Sequence, residues 1–361
     1  MKKTNISHKN SDLNSILNTH FEGKLNKARV KLITMVISAL CKVQTVNFKK
    51  LSKAFDTESK ADSSLRRIQR FIAEFSFDSN IVSRLIFNLL PLKEELTLSI
   101  DRTNWKFGKF NINIFMLGVV YKGVAFPLLF TMLPKRGNSN SQERIDLVNR
   151  YISLFGKNTI ACIVADREFV GKQWLSFLND NKLQYYIRIR NNFKVFVPHK
   201  NKEVKAFWLF NAYRLNQFIY YPKIIKLNGQ LCYLSGSKLN KGEFLIIVSF
   251  NKPEESKKHY AQRWQIEMTF RAMKSSGFDI EKTHLQDIER VEKLILLVMI
   301  AFVWCYKVGI HIHQNIKAIT IKKHGRRAIS IFKYGLDYIA NYLLNSRMKK
   351  EFDIFKFLSC T

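Results

Sequence analysis

The period of the apolar residues changes at Leu96, and that change limits the fold more than any other feature of the 361-residue sequence. Up to about residue 95 apolar side chains recur at helical spacing; beyond it they fall into short runs broken by turn signals. Leu96–Asp101 alternates and ends on a carboxylate. Asn111–Tyr121 and Val124–Leu133 are separated only by Lys122-Gly123, a two-residue hairpin signal. The polar loop Pro134–Ser141 carries the spacing Ser139-x-x-Gln142 of a helix-capping box, which predicts a helix to about Phe155. Thr159–Asp166 reads as a strand, Gly171–Asn181 as a helix and Gln184–Arg190 as a strand. Three strands joined by hairpins, then helix, strand, helix, strand, predict an α/β fold: a mixed sheet with flanking helices.

The flanks are of another character. Residues 1–95 are expected to form a helical N-terminal region, with apolar stripes at Val30, Ile33, Ile37 and Leu40 and at Leu65, Ile68, Phe71 and Ile72. Arg66, Arg67 and Arg70 lie on the second of these helices, spaced to be neighbours. Residues 191–242 hold nine basic residues against one acid, Glu203, among many aromatic and β-branched side chains, and read as a basic β insertion. Glu243–Phe250 adds a strand, and the remainder reads as helical. The sheet domain is therefore placed at 96–190 and 243–312, and a basic helical C-terminal region at 313–361.

Lys and Arg number 60 against 28 Asp and Glu, a formal charge of +32 that calls for a polyanionic partner. The apolar fraction, 47%, excludes a disordered basic tail. Leu294–Tyr306 is an apolar run of thirteen residues, whereas a membrane-spanning helix needs about 20, so it reads as a buried core helix. No signal peptide is evident. Five scattered cysteines (41, 162, 232, 305 and 360) offer neither a disulfide framework nor a zinc site and suit a reducing cytoplasm. Nucleic acid is the favoured partner, with no membrane role.

Asp101 and Asp166 each close an apolar strand. Neighbouring strands lie about 5 Å apart, a span over which two carboxylates can share a divalent cation. A third acid is expected from a long helix, Glu254–Ser275. On it Tyr260, Arg263, Glu267 and Lys274 fall within roughly 60° of one another at about 100° per residue. Three carboxylates with cations alongside suit phosphoryl transfer on a nucleic-acid backbone: two Mg²⁺ activate the attacking oxygen and steady the leaving one, while Arg263 and Lys274 hold phosphates. Mn²⁺ could substitute for Mg²⁺.

These residues resemble DDE transposases of the insertion-sequence-4 family, whose catalytic core is RNase H-like. Tyr260-x-x-Arg263-x-x-x-Glu267-x-x-x-x-x-x-Lys274 has the spacing of that family's Tyr-Arg-Glu-Lys signature. Ser99–Trp105 and Ile163–Phe169 look like its two Asp motifs. The resemblance implies that Asp101, Asp166 and Glu267 are the catalytic, metal-binding triad and that Tyr260, Arg263 and Lys274 bind DNA. It also implies N-terminal helices on the terminal inverted repeats, a homodimer across two ends, cutting of a mobile element and joining of its 3′ ends to target duplex. A bacterial, nucleoid-associated location follows. A catalytically idle DNA-binding derivative and a metal-dependent structure-specific nuclease are the competing readings.

Overall fold

The computed structural model describes residues 4–345 and 351–359. The chain forms two compact units, one comprising Met1–Pro91, Trp105–Ile112 and Phe270–Thr361, the other Leu92–Asn104 and Asn113–Thr269. The sequence reading set residues 1–95 and 313–361 apart, whereas both contribute to the first unit. Cys360 and residues 346–350 lie outside the described residues.

The first unit opens with five helices: α1 (Thr4–Phe21), α2 (Lys27–Val43), α3 (Phe48–Lys53), α4 (Ala61–Glu74) and α5 (Ser79–Asn88). Their ends carry the expected caps. The Asn26 side chain accepts from the Arg29 amide at 2.9 Å, and Asp78 accepts from the Asn80 amide at 2.8 Å. Gln44 closes α2 in the left-handed region at φ 52°. Val30, Ile33, Ile37 and Leu40 are all buried, as are Ile68, Phe71 and Ile72; Leu65 is half-buried.

An eleven-stranded mixed sheet underlies the second unit, although Trp105–Ile112 of its first hairpin belongs to the first unit. Its strands are β1 (Leu96–Phe107), β2 (Phe110–Tyr121), β3 (Val124–Met132), β4 (Ile160–Ala165), β5 (Tyr185–Ile189), β6 (Lys194–Val197), β7 (Lys202–Lys205), β8 (Ile219–Tyr220), β9 (Ile225–Leu227), β10 (Gln230–Lys238) and β11 (Phe244–Ser249). The spatial order is β3-β2-β1-β4-β5-β11-β10-β9-β6-β7, with β8 on β10. β1, β4 and β5 run parallel, and β11 enters antiparallel to β5. Lys122 and Gly123 both take positive φ, 46° and 105°, so the β2–β3 hairpin closes in the two-residue turn the sequence predicts. Asn228-Gly229 does the same between β9 and β10.

Three expectations change in detail. The segment 191–242 does not stand apart from the sheet: β10 pairs with β11 from Tyr233 to Lys238, and β9, β6 and β7 extend the same surface. Helix α6 (Ser141–Phe155) is capped by Asn140 and Glu143, one residue beyond the predicted box. Ser139 is unavailable because its hydroxyl accepts from Arg144 Nε at 2.9 Å. Residues 313–361 are only partly helical, because an exposed hairpin occupies 320–328.

After α7 (Lys172–Asp180), the helical run expected at 254–275 is divided. A 3-10 turn at Pro253–Glu255 leads into α8 (Ser256–Tyr260), a second covers Ala261–Arg263, and α9 follows (Trp264–Met273). Two further helices complete the first unit, α10 (Ile288–Asn315) and α11 (Ile331–Leu344). By length and composition α10 could cross a membrane, yet 89% of its most apolar stretch is buried inside the protein. That burial supports the core-helix reading.

The lysines that bracket its apolar run do not reach solvent as ordinary flanking charges. Lys293 Nζ donates to the Ile72 carbonyl at 3.0 Å and Lys307 Nζ to the Leu89 carbonyl at 3.0 Å. Each ammonium thereby satisfies orphan carbonyls at the C-terminal end of α4 or α5, where the helix dipole favours a cation. Lys293→Met keeps the volume and removes the donor. It is expected to cost about 1–2 kcal/mol and to speed amide exchange in the last turn of α4. An unchanged or higher stability in urea would show that burying the ammonium costs more than its bonds return.

Candidate active site

Asp101 and Asp166 are brought side by side by strand register. β1 and β4 pair in parallel up to Ile100 opposite Ala165, so each aspartate is the next residue on its own strand. Asp166 follows the end of β4, as expected. Asp101 does not end its strand: β1 continues to Phe107, six residues further. What ends at Asp101 is the pairing with the shorter β4, and the gap beyond that strand opens the site.

Glu267 comes from α9, in the same unit. The 3-10 turn before that helix matters, because residues three apart are eclipsed in it and no longer fan out. Arg263 is therefore aligned with Tyr260, its guanidinium 5.8 Å from the ring centre. Arg263 Nη1 then lies 2.7 Å from Glu267 Oε1 and 3.8 Å from Asp101 Oδ2. The Tyr260 hydroxyl donates to Asp166 Oδ1 at 3.4 Å. The two aspartates, Glu267, Arg263 and Tyr260 thus form one connected group.

Backbone anchors seat this helical segment. Ser99 Oγ donates to the Arg263 carbonyl at 3.3 Å, Gln265 Oε1 accepts from the Gly123 amide at 3.1 Å, and Thr269 Oγ1 accepts from the Ala125 amide at 3.1 Å. Beneath α8, His259 stacks on Tyr186 at 5.1 Å, with Nδ1 3.3 Å from the buried Cys162 sulfur and Nε2 3.3 Å from Glu255.

Lys274 follows the last residue of α9 and belongs to the other unit. There its ammonium pairs with Glu281 at 2.8 Å and lies 5.2 Å from the Trp105 ring. Among the N-terminal arginines, Arg66 and Arg70 share the exposed face of α4 with Gln69, while Arg67 is half-buried.

The sequence reading gave no role to Arg102 and Glu168, although both stand inside the segments it singled out. Arg102 forks onto Glu168, with Nε to Oε1 and Nη2 to Oε2 both at 3.3 Å. It also donates to Asn113 at 3.1 Å and Asn138 at 3.0 Å, and its own amide donates to Asp101 Oδ1 at 2.7 Å. Buried Arg144 holds the next stretch of the loop, donating to the Glu168 carbonyl at 3.0 Å with its guanidinium 5.1 Å from the Phe169 ring. Opposite charges one and two residues beyond the paired aspartates were the available signal.

Burial pushes the Asp101 carboxyl up to about 7, against the Arg102 amide and Arg263, which pull it down. Burial also raises the Tyr260 hydroxyl to about 12, so it remains a donor toward Asp166. The Asp101 shift is a stability statement. Its folded-state value exceeds the unfolded one, so the stability tied to the proton is complete below about pH 4 and lost as pH rises through 7. With a chelator present, Asp101→Asn should therefore be more stable than wild type at pH 8, by ~4 kcal/mol at most, and equal to it near pH 4. A constant difference across that window would refute the buried, desolvated carboxyl.

Among the described residues no three His, Cys, Asp or Glu side chains lie close enough together to hold a metal ion. In this arrangement Arg263 supplies the positive charge shared by Asp101 and Glu267. The donor chemistry nevertheless fits a hard divalent cation: oxygen ligands only, two of them on adjacent strands, one a desolvated carboxyl whose charge is only partly balanced.

The family described as Transposase DDE domain matches residues 94–304. No curated protein matches the sequence. Among solved structures, a cryo-EM structure of a piggyBac transposase synaptic complex with hairpin DNA aligns with 93% of this chain and 77% of its own, at 13% identity and a TM-score of 0.45.

Proposed function

The chain belongs to the transposase DDE-domain family, and on that premise we propose that it is a DNA transposase, cutting a mobile element at its terminal inverted repeats and joining the 3′ ends to target duplex. The observation that carries this reading is the convergence of Asp101, Asp166 and Glu267 with Arg263 and Tyr260 beside the parallel strands β1 and β4. The parallel β1–β4–β5 centre, extended on one side by a hairpin, supports an RNase H-like core of the insertion-sequence-4 type.

Asp101, Asp166 and Glu267 would hold Mg²⁺, with two ions expected and Mn²⁺ able to substitute. When bound, the metal would supply Lewis-acid activation of the attacking oxygen and charge stabilisation at the leaving one. Arg263 would exchange Glu267 for a backbone phosphate, which its planar fork suits. The neutral Tyr260 hydroxyl would hold Asp166 in orientation and contact the DNA strand. Lys274 would bind DNA after release from Glu281. Arg66, Arg67 and Arg70 would contact the element ends, the exposed pair most directly. A homodimer bridging two ends, working in the bacterial cytoplasm on the nucleoid, completes the proposal.

The test uses labelled duplex carrying the sequences that flank the gene, incubated with the protein in Mg²⁺ or EDTA. Metal-dependent cleavage at the ends followed by strand joining supports the proposal. Cleavage without joining products favours a structure-specific nuclease, and tight binding without cleavage in any divalent metal favours an idle DNA-binding derivative.

A further inference from the structure

Residues 320–328 form a small antiparallel hairpin after α10. Ile321 bridges Arg327, the Ala328 amide donates to the Thr320 carbonyl at 2.8 Å, and the Lys322 amide donates to the Arg326 carbonyl at 2.8 Å. Gly325 turns the tip at φ 78°, where its amide donates to the Lys322 carbonyl at 2.8 Å. The approach to the hairpin is pinned. The Ile319 amide donates to His313 Nδ1 at 2.9 Å, the Tyr334 hydroxyl donates to the Lys317 carbonyl at 3.2 Å, and Ser330 caps α11. The hairpin itself is exposed along its whole length.

Its sequence is Ile321-Lys322-Lys323-His324-Gly325-Arg326-Arg327, and no Asp or Glu occurs anywhere between Glu292 and Asp337. Among the described residues no ion pair uses Lys322, Lys323, Arg326 or Arg327. Cross-strand partners lie on the same face of a ribbon. Lys322 and Arg326 therefore share one face, Arg327 occupies the other and Lys323 stands near the tip. Like charges directly opposite destabilise an isolated hairpin, so the arrangement costs stability until a polyanion neutralises it. A two-stranded ribbon with cations on both faces matches a groove with a row of phosphates on each wall, and the major groove of duplex DNA admits a ribbon of that width.

We propose that the 320–328 hairpin is a second DNA-contacting element, which enters a groove of duplex DNA and binds the phosphates of both walls irrespective of sequence. The proposal rests on DNA being the partner, and it is independent of the α4 arginines and of the carboxylate site.

The test is the salt dependence of binding to a random-sequence duplex, which needs no cleavage activity. The four-fold variant Lys322→Ala, Lys323→Ala, Arg326→Ala, Arg327→Ala should lower the slope of log K against log[salt] by ~3.6, about 0.9 per phosphate released. The loss of affinity between 50 and 200 mM salt then shrinks by about a hundredfold. Replacing four exposed lysines elsewhere, Lys109, Lys157, Lys172 and Lys182, should leave the slope nearly unchanged. An unchanged slope in the hairpin variant, or an equal fall in the control, overturns the assignment. So does loss of binding to anionic phosphatidylserine vesicles with DNA binding intact, which would make a lipid surface the partner. Failure of the wild-type protein to bind duplex at all would instead remove the DNA reading itself.

Discussion

Glu267→Gln is expected to reduce end cleavage by about a thousandfold or more, equivalent to roughly 4 kcal/mol of transition-state stabilisation, while duplex binding stays nearly unchanged. The amide keeps the shape and can still accept from Arg263 Nη1, which lies 2.7 Å from the carboxylate oxygen in the native protein. What it loses is the charge, and with it most of its hold on a divalent cation, which a neutral amide oxygen binds more weakly. Glu267 is about one-third exposed, so the substitution should not disturb folding. Measuring cleavage and binding on the same labelled duplex separates the outcomes. Loss of both together would make Glu267 a structural partner of Arg263. Retention of cleavage would remove it from the catalytic set.

Gly335→Val should be the most damaging single change to stability among those considered, at about 3 kcal/mol or more. Gly335 on α11 faces Gly309 on α10 so closely that an added Cβ would lie 2.6 Å from the Gly309 amide nitrogen and 2.9 Å from its Cα, and closer still to the Cys305 carbonyl. These are backbone atoms and cannot swing aside. Even Gly335→Ala is informative, because helix propensity alone favours Ala by about 1 kcal/mol. A urea titration showing net destabilisation by Ala means the helix contact outweighs propensity. A stabilised Ala variant would refute the close crossing.

What could be read in the sequence follows from how local the determining physics is. The alternation from Leu96 onward, the Lys122-Gly123 turn and the order of strands and helices to Arg190 depend on neighbouring residues, and the sheet reproduces them. The pairing of Asp101 with Asp166 was legible because two apolar strands each reached an aspartate. That β1 would run on to Phe107 was missed, because the charged pair Asp101-Arg102 interrupts the run before Thr103, Trp105 and Phe107 resume the alternation. The tightened turn at Ala261–Arg263 was hidden because three residues are too few for about 120° per residue to be told from the roughly 100° of an α-helix. Continuity of the 191–242 segment with the sheet depends on pairing between β10 and β11, which no local pattern encodes. The Arg102–Glu168 fork and the capping of α4 and α5 by Lys293 and Lys307 are long-range encounters of charged groups, visible only once the chain is folded.

Each of the three carboxylates has a polar partner within the chain, and one of those partners, Arg263, is charged. Glu267 has Arg263, Asp166 has the Tyr260 hydroxyl, and Asp101 has the Arg102 amide, itself continuous with the fork onto Glu168. Small metal-dependent domains fold only when their ion arrives, because nothing else offsets the gathered ligands. Here the protein's own groups partner the carboxylates, so with the proposed metal role assembly of the fold and loading of an ion would be separable events. On the proposed function, ion supply would then set when the chain acts rather than whether it survives.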